Sequence, residues 1–440
     1  MISDPLEIIV QPKKTVLIND PFEKLDLLVR VKARPSTSMA RTPLAVSIVI
    51  DKSGSMGDGK LEAAIESAIR FINGMSSADQ LAVIAYSDDA EIVIPLSPIA
   101  SIRDHIESKL RQISKNGQTN LYRGWLLGAQ QLAPAVDNLN ACRVFLLSDG
   151  QVNKGKQGLA EICNEVAELA KIGISTSTVG FGLHFNEQLM TQMAVAGRGN
   201  AMYGEDVDDL IEPFDSEISL LRSLAWRDVS LEIVSAELAT PWEMRNDYPA
   251  NSDRSWRLPS IASGSEAWVA FSIAMTDAII YQAVDGQCLI KLLVRARDAD
   301  GVFHTFTGSS PVLPVVDRDR YATAEIDESV VQRFIEVEAA DIQRLAYQAV
   351  RRNDWVALAQ MVEDLENRAL QNPWLTKSVN LLKSLVEKRD HDRLSKELSY
   401  SAHSMKNRLS EYDEKHYSSS VDELEKAAFL RRKFNQGKRL

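Results

Sequence analysis

Three short stretches of this 440-residue chain set carboxylates and hydroxyls at spacings that suit a hard cation. Asp51-Lys52-Ser53-Gly54-Ser55-Met56 offers a carboxylate and two hydroxyls at i, i+2 and i+4, directly after a run with the character of a buried strand. Gln118-Thr119-Asn120 opens a helical pattern, and Ser148-Asp149-Gly150 closes another apolar run. The candidate ligands Asp51, Ser53, Ser55, Thr119 and Asp149 present only oxygen. Such a set favours a small octahedral ion, Mg²⁺, over zinc; Ca²⁺ or Mn²⁺ could also be held, although few carboxylates are offered for Ca²⁺. With three neutral hydroxyls, and with Asp51 and Asp149 acting largely through water, the ion would keep most of its charge and an open position. A Glu or Asp of a partner protein would then complete the octahedron.

For these residues to meet, three loops must come to one edge of a sheet. Between Leu44 and Leu210 short apolar runs alternate with amphipathic stretches, a pattern that calls for a parallel sheet covered by helices on both faces. LAVSIVI (44–50), QLAVIAY (80–86), RVFLLS (143–148) and ISTSTVGF (174–181) read as buried strands, and AEIVIPL (90–96) as one nearer an edge. Leu61, Ile65, Ala68 and Ile72 recur at helical spacing, as do Leu121, Trp125, Ala129 and Leu132; LAEICNEVAELAKIG (159–173) ends on a glycine suited to a helix C-cap. All three candidate loops follow strands or open helices at the carboxyl edge of this doubly wound α/β domain, where open sheets of this kind bind ligands.

The flanks have another texture. EIIVQPKKTVLI and KLDLLVRVKARP, near the start, alternate with period two, and so do VSLEIVSAEL, AWVAFSIAM and CLIKLLVRARDADG after Leu224. The early strands are too few to stand alone. They are expected to complete an antiparallel β-sandwich with the later ones, the α/β domain being inserted between them. Trp226, Trp242, Trp256 and Trp268 fit the core of that sandwich better than an aromatic binding face. From Ala324 the spacing is helical again, with Val330, Phe334 and Val337, then Trp355, Leu358, Val362 and Leu365, then Leu375, Val379, Leu382 and Val386, so three helices are expected. The rest, from RLSKELSYSAHSMKN onward, reads as mostly polar, and its basic end with Arg431, Arg432, Lys433, Lys438 and Arg439 as a solvated tail. The resulting segments are 1–42 (β-strands), 43–222 (α/β domain), 223–320 (β-sandwich) and 321–440 (helical region).

Composition narrows the function. Apolar residues at 45% and charged residues at 25% describe an ordinary globular chain, and a net charge of −11 disfavours nucleic acid and anionic membranes as partners. Three scattered cysteines, Cys142, Cys163 and Cys288, make neither a zinc site nor a disulfide framework. The acidic start, without a signal peptide or a membrane-spanning run, suggests the cytoplasm. No catalytic apparatus stands out. The histidines at 105, 184, 304, 391, 403 and 416 have no motif beside them, Ser53 lacks the G-x-S-x-G elbow of a nucleophile, and Gly54, Gly57, Gly59 and Lys60 fail the P-loop frame. Asp58, Asp88 and Asp89 read as turn residues.

Asp-Lys-Ser-Gly-Ser, the Thr119 loop and the Ser-Asp-Gly strand end resemble, in order and in strand-loop-helix context, the metal-ion-dependent adhesion site of von Willebrand factor A domains. The resemblance covers about Pro43 to Leu221. It carries the family's ligand positions onto Asp51, Ser53, Ser55, Thr119 and Asp149, and it is nearest to intracellular and bacterial members with a β domain after the A domain. Some plant members add a RING finger, which three scattered cysteines cannot supply. The resemblance implies a non-enzymatic adaptor that captures an acidic residue of a protein partner, such as an AAA-type ATPase, a kinase or a phosphatase of the same operon. Two other readings compete with it. One is a Mg²⁺-assisted phosphoester hydrolase, which would need a second metal or a general base near Asp149; the other is a structural subunit with a vestigial site.

Overall fold

The computed structural model describes residues 5–35, 43–136, 141–149, 151–182, 185–204, 207–234, 242–370, 372, 375–407 and 410–411. Among these, two compact units form. Of the described residues, one takes those within 43–222 and 384–401, the other those within 5–35, 223–383 and 402–411.

The second unit starts with β1 (Leu6–Pro12), the short β2 (Leu17–Ile18) and β3 (Lys24–Ala33), where β1 and β3 pair antiparallel from Leu6 opposite Ala33 to Pro12 opposite Leu27.

The α/β unit runs β4 (Leu44–Asp51), α1 (Lys60–Asn73), β5 (Gln80–Tyr86), β6 (Ala90–Pro98), α2 (Ile99–Leu110), α3 (Leu121–Val136), β7 (Ala141–Ser148), α4 (Leu159–Lys171), β8 (Ile174–Phe181), α5 (Glu187–Ala196), β9 (Arg198–Gly204) and α6 (Val207–Arg222). Its six strands lie in the order β6-β5-β4-β7-β8-β9, parallel except for β6, which runs antiparallel along β5 at an edge. Every residue of β4 and β7 is buried, as central strands covered on both faces require. Exposed Glu91 and two exposed prolines, Pro95 and Pro98, on β6 suit an edge. The strands expected at 44–50, 80–86, 90–96, 143–148 and 174–181 are present, and Gly173, with φ +103°, follows α4 in the left-handed conformation expected of a C-cap glycine. The strand β9 is additional, since RGNAMYG carries no apolar run to announce it.

Helix α3 sits unusually close to the sheet. A Cβ on Gly128 would stand 2.4 Å from Val49 Cγ2, and one on Gly124 2.5 Å from the Tyr86 ring. Two hydrogens where side chains would be therefore bring the helix start, and Thr119 just before it, down to the ends of β4 and β5.

The second unit continues with β10 (Leu224–Ile233), β11 (Trp242–Met244), β12 (Trp256–Arg257), β13 (Ile261–Ala262), β14 (Ser265–Ala274), α7 (Asp277–Val284), β15 (Lys291–Arg297), β16 (Phe303–Ser309), β17 (Val315–Val316), α8 (Arg318–Ala322), α9 (Glu328–Arg351), α10 (Trp355–Ala369), α11 (Thr376–Glu387), α12 (His391–Asn407) and β18 (Ser410–Glu411). One sheet has the order β1-β3-β14-β11, the other β12-β10-β15-β16. Early and late strands thus share a sheet: β3 pairs with β14 from Lys24 opposite Ala274 to Lys32 opposite Glu266. The two sheets touch where Gly308 of β16 leaves room for Ile8 of β1, and where the rings of Trp256 and Phe271 lie 6.3 Å apart. Trp226 and Trp268 are core residues, Trp256 is partly exposed, and Val330, Phe334 and Val337 of α9 close over Leu28, Trp268 and Ala270.

One expectation is corrected. RLSKELSYSAHSMKN is not a loose polar segment but most of α12. Leu394, Leu398 and Tyr400 are buried; the Tyr400 ring lies 4.9 Å from Tyr203 and 6.1 Å from Phe185, and the Lys396 ammonium stands 4.4 Å over Phe185. Lys396 also reaches Glu187, and Tyr203 donates to Glu397. A few aromatic anchors and paired charges hold a helix whose composition alone reads as solvated. The basic end at 431–439, His184 and His416 lie outside the described residues. No helix among the described residues is long and apolar enough to cross a membrane.

Candidate metal centre

Backbone hydrogen bonds sew three loops together at the carboxyl ends of β4, β5 and β7. Leaving β4, Lys52 donates its amide to the Tyr86 carbonyl at 2.8 Å; Asn116 donates to the Lys52 carbonyl at 2.8 Å and Gly54 to the Gly117 carbonyl at 3.0 Å. Gly117 has φ +69°, and a Cβ there would come 2.2 Å from Asp88 Oδ2, so glycine is favoured. Asn120 donates to the Ser87 carbonyl at 2.8 Å, Thr119 N to Asn153 Oδ1 at 2.7 Å, and the amides of Asn153 and Lys154 return to the Thr119 carbonyl at 3.3 and 3.2 Å. The Thr119 loop is therefore tied on one side to the Asp51 loop and on the other to the segment after Asp149.

The side chains form a connected set. Asp51 is fully buried, its Oδ1 accepting from Ser53 N at 2.9 Å and its Oδ2 from Ser148 Oγ at 2.7 Å and from the Tyr86 hydroxyl at 3.2 Å. The Ser53 and Ser55 hydroxyls stand 3.0 Å apart, and Ser55 Oγ donates to Asp149 Oδ1 at 3.1 Å. Asp149, also fully buried, receives the Lys60 ammonium on Oδ2 at 3.2 Å. Burial pushes the Asp51 carboxyl up to about 6, against the downward pull of hydrogen bonds from Ser148 and Ser53, and it raises Tyr86 well above the usual phenol range.

Thr119 tests whether the set fits a cation. Its Oγ1 is buried and has no hydrogen-bond partner, which is costly for a hydroxyl unless something else meets it. The loops that its own loop is tied to carry two serine hydroxyls and two desolvated carboxylates, so the residues are all oxygen donors of the kind Mg²⁺ takes. No group of three or more His, Cys, Asp and Glu converges on a metal-holding site among the described residues, so a softer ion has no comparable place. The residues present fit a hard divalent cation.

Asp51, Ser53, Ser55 and Asp149 are thus linked in a chain of contacts, and the Thr119 loop is tied by its backbone to the Asp51 loop and to the segment after Asp149. Asp88 and Asp89 pair with Lys154 and Arg123, while Asp58 sits in a turn at φ +54°, consistent with structural roles. His304 pairs with Asp298 on the far side of the chain's sequence, in the other unit. Sequence reasoning missed Tyr86 and Lys60. Tyr86 had no polar signal, as the last residue of an apolar strand. Lys60 did carry one: it is the first residue of α1, where a cation opposes the helix dipole.

Residues 46–215 match the model of the von Willebrand factor type A domain. An uncharacterized protein of Synechocystis, sll0103, is 28% identical over 194 residues, 44% of this chain and 45% of that protein, so the chain matches less than half the length of that curated relative. Two solved structures share the fold at 17% identity: a von Willebrand factor type A protein from Catenulispora acidiphila, with TM-score 0.66 over 86% of this chain and 89% of that one, and the ArnB paralog VWA2 from Sulfolobus acidocaldarius, with TM-score 0.60 over 92% and 99%. From the sheet order, the loops at its carboxyl edge and these matches, the α/β unit is a von Willebrand factor A domain.

Proposed function

We propose that the chain is a metal-dependent protein–protein interaction module whose A domain binds an acidic residue of a partner protein. Domains of this type generally mediate protein–protein interactions and commonly bind a divalent metal. The observation that carries the reading is the buried, unpartnered Thr119 hydroxyl on a loop tied to those that bring Ser53, Ser55 and Asp149 into contact. Ser53, Ser55 and Thr119, with Asp51 and Asp149, would hold Mg²⁺, which when bound supplies an electropositive position open to an outside carboxylate. The chain's own part is to keep that position anion-seeking. Asp51 already spends both oxygens on Ser53 N, Ser148 and Tyr86, and Asp149 gives one oxygen to Lys60, so neither is free to add its whole charge.

The role is that of an adaptor rather than an enzyme, acting in the cytoplasm, with an AAA-type ATPase, a kinase or a phosphatase as the class of partner. The test is capture from native lysate with the full chain and with Asp149→Ala, each in Mg²⁺ and in EDTA, followed by titration of the captured partner. Binding that requires both Mg²⁺ and Asp149 supports the reading. Binding indifferent to both sinks it and moves the contact surface elsewhere on the chain.

A further inference from the structure

Lys60 stands where helix physics would not put it. As the first residue of α1 it faces the positive end of the helix dipole, and the helix has Glu62 as its acidic residue in the first turn. The ammonium is turned instead toward the metal centre: Nζ donates to the Ser55 carbonyl at 3.0 Å and to Asp149 Oδ2 at 3.2 Å. Its bed is prepared from two sides. Gly59, at φ +83°, caps the helix without a side chain, and Gly182, at φ +76° just after β8, leaves the lysine stem a path, since a Cβ there would lie 3.3 Å from Lys60 Cε. The side chain is 23% exposed while Asp149 has no exposure at all, so this ion pair is largely withdrawn from water on the carboxylate side. Asp149 Oδ1 accepts from the Ser55 hydroxyl at 3.1 Å and the Gln151 amide at 3.5 Å, and Oδ2 from the ammonium.

We propose that Lys60 is a fixed counter-charge of the metal centre, which lowers its affinity for a free divalent ion and raises the affinity of the loaded centre for a carboxylate. This rests on the metal reading given above. Asp51 and Asp149 contribute two negative charges and Lys60 one positive, leaving a net −1 to attract the ion. With a divalent ion in place the centre is +1. Without Lys60 the same centre would be −2 before loading and neutral after it, better at taking metal from solution and worse at drawing an anion. Charges this close and this buried act through a dielectric far below that of water, so the change in each affinity is large. Lysine suits the task because its charge is a compact point at the end of a stem, able to sit on one carboxylate oxygen without taking both.

The experiment uses the full chain, Mn²⁺ as the metal probe and acetate as the carboxylate probe. Mn²⁺ is titrated calorimetrically into wild type, Lys60→Met and Asp149→Ala; acetate binding to the loaded proteins is followed by water-proton relaxation, which falls as acetate displaces Mn²⁺-bound water. Lys60→Met is expected to bind Mn²⁺ about tenfold more tightly and acetate about tenfold more weakly. A residue that only supported the fold would move the two affinities together or not at all, and either result overturns the proposal. Lys60→Gln, which can still donate to the Ser55 carbonyl, replaces Lys60→Met should the latter not fold, with the same expectation. If wild type binds Mn²⁺ no better than Asp149→Ala does, the metal reading itself fails and this inference with it. If wild type binds Mn²⁺ and the Lys60 variants match it in both titrations, the metal reading stands and only the role of Lys60 falls.

Discussion

Asp149 and Glu266 are both carboxylates withdrawn from water, one at the end of a parallel strand of the A domain and the other within the antiparallel β14, yet their surroundings differ in kind. Glu266 is closed: the Arg30 guanidinium donates to it from Nε at 3.1 Å to each oxygen and from Nη2 at 2.7 Å, while Gln11 takes up Arg30 Nη1. A planar fork on a planar acceptor leaves nothing for an outside ion to complete. Asp149 is held more loosely: the Ser55 hydroxyl at 3.1 Å and the Gln151 amide at 3.5 Å on one oxygen, and a single-point ammonium at 3.2 Å on the other. Buried charge is thus handled in two ways in this chain. A closed pair serves the fold, and the open cluster of hydroxyls is the one for which we propose a cation.

That contrast can be broken by experiment, and the largest effect belongs to the closed pair. Arg30→Ala strands Glu266 at 2% exposure and is expected to cost about 3–5 kcal/mol of folding stability, read as a lower urea midpoint that is the same in Mg²⁺ and in EDTA. Next comes the open cluster: Mg²⁺ at about a hundredfold over its dissociation constant should stabilise the wild type by about 2.7 kcal/mol, and Asp149→Asn should abolish that gain while folding in EDTA. A magnesium response in Arg30→Ala smaller than in wild type, or one preserved in Asp149→Asn, would erase the distinction. Gly117→Ala is expected to cost about 1–2 kcal/mol because it strains a left-handed residue and pushes on Asp88, and to weaken the magnesium response because Gly117 tethers the Asp51 loop. The smallest change is Tyr86→Phe. It removes one of two donors to Asp51 Oδ2 and should lower stability by about 1 kcal/mol in a thermal melt, since Ser148 still satisfies the oxygen.

The parallel strands were legible because burial on both faces favours short β-branched and apolar runs, as in LAVSIVI of β4 and VFLL of β7, while β8 reads through its β-branched Ile174, Thr176, Thr178 and Val179. The three candidate loops were legible because each sits at a strand or helix end where local sequence dictates the turn. What escaped was non-local. The strand β9 borrows its place from β8, and α12 is held by Tyr400 and Lys396 against aromatic rings some two hundred residues earlier in sequence, which no local periodicity reports. The same holds at the site, where Tyr86 reads as one more apolar-run residue until its hydroxyl is seen to meet Asp51.

The pairing of β3 with β14 has a consequence for the chain during its synthesis. Between Ala33 and Ser265 lie 231 residues (265 − 33 − 1), all of which leave the ribosome before the partner strand does. At about 5–20 residues per second the nascent β3, with its LLVRV core, goes without that neighbour for roughly 10–50 s. An apolar strand with an unfilled edge is a template for mispairing between neighbouring chains on a polysome. The strands of the A domain pair among themselves and all emerge during that interval, with α12 of the same unit to follow, while the flanking sheet depends on β1 until β14 emerges.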